Sequence, residues 1–372
     1  IKRGWFDRKE IKVPDISDFL DLVALGTIAD LVPLDTNNRI LVKYGLNLIK
    51  IGKARPGILA LLKISSRNFK KISADDIGFA IAPRLNAAGR LASMSLGIQC
   101  LLADDYDEAL QFAVKLDALN RDRKEIEKHM KNKSEEILKN FQFSKEDIPW
   151  GICLFQESWH QGVIGILASR VKERYHRPTI IFAPGDNNQL KGSARSINGF
   201  HIKNALDQLA ILYPELLQKY GGHAMAAGMT INKKNYDKFS KAFDTITKSF
   251  LAEEEIDPYV LSDGPLPIDQ ISLETASIIE NLGPWGQAFK EPLFDDTFII
   301  SDCKKLKEQH WKLLLKHESS SQLFNAIAFN MVNDWPKLPE KARFVFKLKI
   351  NEWDNKNTLQ LFVEHIDINN EI

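Results

Sequence analysis

From Asp104 to Phe141 the chain reads DDYDEALQFAVKLDALNRDRKEIEKHMKNKSEEILKNF, without a single glycine or proline. A helix interior tolerates those two residues worst, so their absence over such a length permits one uninterrupted helix. Leu116, Leu119, Ile126, Met130, Ile137 and Phe141 recur at spacings of three, four or seven, the repeat of a helix face. Asp105, with Glu108 three residues on, resembles a capping box with aspartate in the capping role. Such a helix is roughly 55 Å long. Its second half has a thin apolar stripe and charge on every other side, which suits a strut between domains better than a core helix. A solvated face accounts for the charge run. The expected organisation is therefore multidomain: residues 1–103, a connecting helix within 104–149, a domain over 150–252 and another over 253–372.

A chain of 372 residues is long for one domain, and two or three are expected. Hydrophobic residues at 44% and charged residues at 27% are ordinary for a globular protein. The net charge of +1 neither demands nor excludes a nucleic-acid partner, because acidic helices elsewhere can mask a basic groove. Cys100, Cys153 and Cys303 are odd in number, far apart and outside any metal-ligand spacing. A reducing, cytoplasmic setting fits them better than a disulfide framework. No apolar run of about 18 residues is present to span a membrane. The chain opens IKRGWFDRKEIKVP, without Met and without a signal-peptide apolar core, and is expected to be a fragment that lacks preceding residues.

Before the long helix, residues 17–102 are expected to form short helices, with Ser17 capping the first and Pro56 opening another. After Pro149 the period changes. GICLF, PTIIFA, LKGSARSI and AMAAGMTI are strand-like and alternate with helical VIGILASRVKERY, a helix from His201 to Leu212, and NYDKFSKAFDTITKSFL. That alternation indicates a small α/β domain. An acidic linker, EEEIDPYVLSDGPLP, leads to five segments of alternating polarity, expected to close an all-β barrel of the OB type.

Four stretches hold Gly, Arg, Ser and His in patterns that packing does not require. PRLNAAGRL sets Arg84 and Arg90 about a small-residue loop with Asn86; guanidinium forks match phosphate oxygens, although a helix–helix contact with two surface arginines is an equal account. SWHQGVIG places Trp159 and His160 before a helix N-terminus, which favours anions, or else supplies a structural histidine beside a core tryptophan. In KGSARSI, Ser193 and Arg195 share one strand face, with Ser196 beside them, either for a phosphate or as an exposed edge. YGGHAMAAGMTI carries Gly221, Gly222 and His223: a tight turn into a buried strand, or a loop whose N–H groups and histidine meet an anion.

LDLVALGTIADLVPLDTNNRILVKYGL, PRLNAAGRL, SWHQGVIGILASRVKERYHRPTIIF, KGSARS and YGGHAMAAG occur in that order. Together they resemble the RecJ family of single-strand-specific 5′→3′ exonucleases, in the DHH phosphoesterase superfamily, over essentially the whole chain. DGPLPIDQISLETASIIENLGPWGQAFKEPLF resembles the start of that family's OB domain. Where the family usually shows Gly-Asn-Pro-Glu-Pro, this chain has Gln287-Ala288-Phe289-Lys290-Glu291-Pro292, which puts loop details of the barrel in question.

The resemblance implies the C-terminal part of a DHH domain over 1–103, the long helix, a DHH-associated domain over 150–252 and an OB domain over 253–372. It implies two divalent metals, manganese or magnesium, that activate water for attack on a phosphodiester. Carried over, Asp30 in GTIAD is a catalytic metal ligand. Arg84, Asn86 and Arg90 face single-stranded DNA from one side; Ser193, Arg195, Ser196, Gly221, Gly222 and His223 face it from the other, joined by His160. DNA with a free 5′ end and single-strand-binding protein are the implied partners. The family's Asp-x-Asp-x-Asp-Gly and Asp-His-His motifs are absent from this sequence. One aspartate does not hold two metals, so these residues alone are expected to bind DNA without hydrolysing it. Trp285, Trp311 and the basic CKKLKEQHWKLLLKH stretch are candidates to meet bases, with packing the better role for Trp285. A non-catalytic nucleic-acid module and a small-nucleotide phosphodiesterase are the competing functions.

Overall fold

The computed structural model describes residues 15–139, 148–251, 260–353 and 356–367. Short helices open it, the longer ones being α1 (Leu20–Ala29), α2 (Thr36–Lys50), α3 (Pro56–Ile64), α4 (Ala82–Leu91) and α5 (Ser95–Leu102). Pro56 is the first residue of α3, where its missing N–H costs nothing. Ser17 does not cap α1. Instead the Asp15 carboxylate accepts from Ser17 N–H (2.9 Å) and starts a 3₁₀ turn over Ile16–Phe19 that leads into the helix. A π turn, Ile77–Ile81, precedes α4. Pro83 lacks an N–H and cannot continue a regular ladder there, which accounts for the widened turn. Close packing fixes the layer: a Cβ on Gly45 would lie 2.1 Å from the Leu20 carbonyl oxygen, and one on Gly57 2.0 Å from that of Cys100.

The long helix is α6, Tyr106–Lys139, with Asp105 accepting from Glu108 N–H at 2.9 Å. Ala109, Ala113 and Leu116 of its first half enter the helical core. Further along, Ile137 packs against a second core, while Phe141 lies outside the described residues.

Next come β1 (Ile152–Phe155), α7 (Gln161–Tyr175), β2 (Thr179–Pro184), β3 (Gln189–Arg195), α8 (Ile202–Leu212), β4 (Lys219–Gly222), β5 (Ala226–Asn232) and α9 (Tyr236–Leu251). The sheet order is β1-β2-β3-β5-β4, with β1 and β2 parallel and the other pairs antiparallel. One face of β1 and β2 packs on α7 through Ile164, Leu167 and Val171. Phe182, Leu190, Met229 and Ile231 face the opposite way, into a core shared with α8 and α9. Strand β4 is not among the strands expected from the sequence: KYGG has two glycines, poor strand formers, and takes its conformation from pairing with β5.

Finally α10 (Leu273–Leu282) precedes β6 (Phe294–Leu306), β7 (His310–Lys316), β8 (Leu323–Ala328), β9 (Lys341–Trp353) and β10 (Lys356–Asp367). These five strands close a barrel in the order β10-β8-β7-β6-β9, with β8 and β10 parallel, an OB-type arrangement. Phe298, Phe344 and Phe346 fill it, and Ala276 and Ile279 of α10 pack on the same core. The chain divides into two compact units, one made of Ile1–Asn120 with Val260–Ile372 and the other of Arg121–Tyr259. Among the described residues no helix is long and apolar enough to cross a membrane.

Candidate nucleic-acid interface

Along β3, Leu190, Gly192 and Ala194 are buried while Lys191, Ser193 and Arg195 are partly exposed on the other face. Register carries that second face across the sheet: Ser193 stands opposite Gly228, which stands opposite Gly221. Helix α7 reaches its edge, where a Cβ on Gly165 would lie 3.3 Å from Arg195 Nη2 and 3.4 Å from Ser193 Oγ. A larger residue at 165 would crowd both polar groups. Beyond them the floor is bare. A Cβ on Gly221 would meet nothing within 4 Å, and one on Gly228 only the Gly192 carbonyl oxygen at 3.9 Å. No contact among the described residues requires glycine at either place.

Arg195 is half-buried beside this floor. Its Nη1 donates to Ser193 Oγ (3.2 Å) and to the Ala194 carbonyl (2.8 Å). Partial burial lowers its pKa from the ordinary arginine value, yet a guanidinium stays charged in water. It makes no ion pair with a carboxylate among the described residues.

Gly222 has a different reason to be glycine: an added Cβ would lie 2.4 Å from the Ala226 carbonyl oxygen. The loop it opens is pinned by His223 N–H to Ala226 O (2.8 Å), Ser196 N–H to Met225 O (3.0 Å) and Ile202 N–H to Ala224 O (3.0 Å). His223 is exposed at that corner. Ser196 is not part of the surface. It is 1% exposed, and its hydroxyl donates to the Phe200 carbonyl, because the strand ends at Arg195 and the chain turns inward. His160 is exposed and caps α7, its Nδ1 accepting from Gly162 N–H at 3.0 Å, so that one helix-terminal donor is already taken.

PRLNAAGRL is helix α4, which decides between the two accounts against the small-residue loop. Alanine favours helix strongly enough to carry one glycine. Arg84 and Arg90 consequently point apart. Arg84 donates from Nε and Nη2 to one Asp117 oxygen (both 2.9 Å) and from Nη1 to the Ala80 carbonyl (2.6 Å), with its side chain 12% exposed. Asn86 and Arg90, one helical turn apart, are both exposed. Asp30 is exposed at the C-terminus of α1, its N–H bonded to the Gly26 carbonyl. Among the described residues no three His, Cys, Asp or Glu side chains gather to hold a metal ion. The donors present do not fit a two-metal centre, and no hydrolytic step is assigned to them. In the barrel both candidate tryptophans are engaged internally: Trp285 Nε1 donates to the Ile279 carbonyl and its ring stacks on Phe289, while Trp311 is buried and donates to the Trp335 carbonyl.

Ser193, Arg195 and Gly221 stand out in the sequence as site candidates, whereas Gly228 shows there only as one small residue of its run and Gly165 not at all. Gly228 lies in the quoted AMAAGMTI run, and only the strand register identifies it as the residue between Ser193 and Gly221.

A family model described as the DHHA1 domain matches residues 148–249, and one described as the RecJ OB domain matches residues 262–365. The chain is 45% identical over 366 residues to the single-stranded-DNA-specific exonuclease RecJ of Salmonella typhimurium, covering 98% of this chain and 63% of that protein. Among solved structures, RecJ from Thermus thermophilus in complex with Mg2+ is similar at a TM-score of 0.76 and 28% identity, covering 98% of this chain and 54% of that one. The same protein in complex with Mn2+ gives 0.75 and 27%, covering 99% and 52%. This chain thus spans 63% of the length of the Salmonella relative. With two domain matches in order, identity along nearly all of its residues and a shared fold, the chain belongs to the RecJ family of the DHH superfamily.

Proposed function

We propose that this chain is the strand-holding portion of a RecJ-type exonuclease that degrades single-stranded DNA 5′→3′ from a free 5′ end in the cytoplasm, with single-strand-binding protein as a partner. Manganese or magnesium would supply the activated water in the complete enzyme, on ligands that include Asp30. One observation carries the strand-holding role: a half-buried guanidinium, Arg195, has no carboxylate partner among the described residues and stands beside the bare floor of Gly221 and Gly228. Removing a cation partly from water without an opposing charge is unfavourable, and a bound anion restores the balance. Phosphate suits the guanidinium fork. The missing side chains give a sugar–phosphate backbone room to lie against the sheet.

Anisotropy titrations with a labelled oligothymidylate test this. Arg195→Met is expected to weaken binding about tenfold and to lower the slope of log K against log salt by about 0.7. Unchanged affinity and slope would discard the assignment. The residues present also predict no digestion by these 372 residues alone in Mn2+. Robust hydrolysis by the purified chain would overturn the ligand-count reasoning while leaving the strand-holding face untouched.

A further inference from the structure

We propose a second phosphate station on the same sheet face, formed by Lys191 and Lys219 on either side of Thr230. It rests on the strand-holding role proposed for the first station. Lys191 pairs across β3 and β5 with Thr230, and Thr230 pairs across β5 and β4 with Lys219. Each lies two residues along its strand from the Ser193–Gly228–Gly221 row, so all six residues share one face. The row repeats the first in outline, with a small residue on β5 at its centre, but places cations on both flanks.

Register sets these two lysines on either side of one threonine, and a hydrogen bond fixes one of them there. Thr230 is 6% exposed, and Lys191 Nζ donates to its hydroxyl at 3.0 Å, so the lysine is laid over the sheet and not extended into solvent. Neither lysine makes an ion pair with a carboxylate among the described residues, so no carboxylate neutralises either charge. Two unneutralised cations flank one threonine at about two strand spacings, roughly 9.6 Å. That repulsion is relieved by an anion placed between them.

Spacing names the ligand class. The two rows are about 6.8 Å apart along the strands, the stretch an extended nucleotide covers from one phosphate to the next. The ligand is therefore a single-stranded polynucleotide whose backbone runs parallel to β3 and β5. One phosphate meets Arg195 and Ser193, and a neighbouring phosphate meets Lys191 and Lys219.

The test uses the full chain and a labelled oligothymidylate at several salt concentrations. Methionine keeps the aliphatic stems that cover Thr230 and removes the charge, so Lys191→Met and Lys219→Met are chosen, singly and together. Each is expected to lower the slope of log K against log salt by about 0.7, and the pair by about 1.4. Thermal melting of each variant verifies that the sheet is intact. If Arg195→Met lowers the slope and the lysine pair does not, the second station is refuted and the first stands. A slope unaffected by all three substitutions refutes both.

Discussion

Gly221 and Gly222 adjoin in sequence yet lack side chains for opposite reasons. At 222 the neighbouring strand is in the way, since an added Cβ would lie 2.4 Å from the Ala226 carbonyl oxygen and 2.6 Å from the Ala227 Cβ. Backbone must move to admit it. At 221 nothing is in the way. Gly222→Ala is therefore expected to cost about 2 kcal/mol, the order of an overpacked site, and to lower the melting temperature. Gly221→Val should melt with the parent chain but bind an oligonucleotide less tightly, because its branched side chain occupies the floor. Equal melting losses for both would contradict the geometry. The same division separates the arginines. Arg84 spends its Nε and both Nη atoms on Asp117 and Ala80, whereas Arg195 keeps donors for something outside the chain.

Strand β3 is legible in the sequence because alternation is a property of the strand itself: Ser193 and Arg195 lie on one face whenever the segment is extended. What alternation cannot give is where the strand stops. Ser196 follows Arg195 by one position and is buried, and no local signal in KGSARSI marks that turn. Strand β4 is hidden for a related reason, since Lys219–Gly222 has the composition of a turn and its pairing with β5 is a non-local fact. Once formed, β4 is tied to α8: Tyr220 Oη donates to Asp207 Oδ1 at 2.9 Å, and Lys203 Nζ donates to the same oxygen. The Lys203 and Tyr220 hydrogen bonds hold the Asp207 carboxyl below its usual value of 3.8. A group whose pKa falls on folding stabilises above its unfolded pKa and loses that contribution as pH drops through the folded value. The tie is thus complete above about pH 4 and fails at lower pH. Asp207→Asn should flatten the acid limb of the stability curve below that point. Stability falling as steeply in the variant as in the parent would remove Asp207 from the account.

At the scale of the whole chain, residues far apart in sequence make one compact unit from the helical layer and the barrel. The barrel's leading loop, with Gln287 and Phe289, lies at that junction. Leu34 N–H donates to the Gln287 carbonyl at 2.7 Å, and Phe289 packs into the helical core under the Arg39 guanidinium, 4.0 Å from its ring centroid. Trp285 stacks on the same phenylalanine ring at 4.8 Å. Leu34 is 2% exposed and follows Asp30 by four residues, with Leu31 between them in the left-handed region at φ 52°. The barrel's leading loop therefore fixes one end of the turn that presents Asp30. Phe289→Ala removes the ring from both neighbours. It should cost about 2 kcal/mol, less than a fully buried phenylalanine because the ring is only partly covered. Two consequences are expected together. Calorimetry should resolve separate transitions for the helical layer and the barrel, and hydrogen exchange at the Leu34 amide should quicken. If the variant melts in one unshifted transition and Leu34 keeps its protection, the loop is a passenger on a turn that the helices hold by themselves.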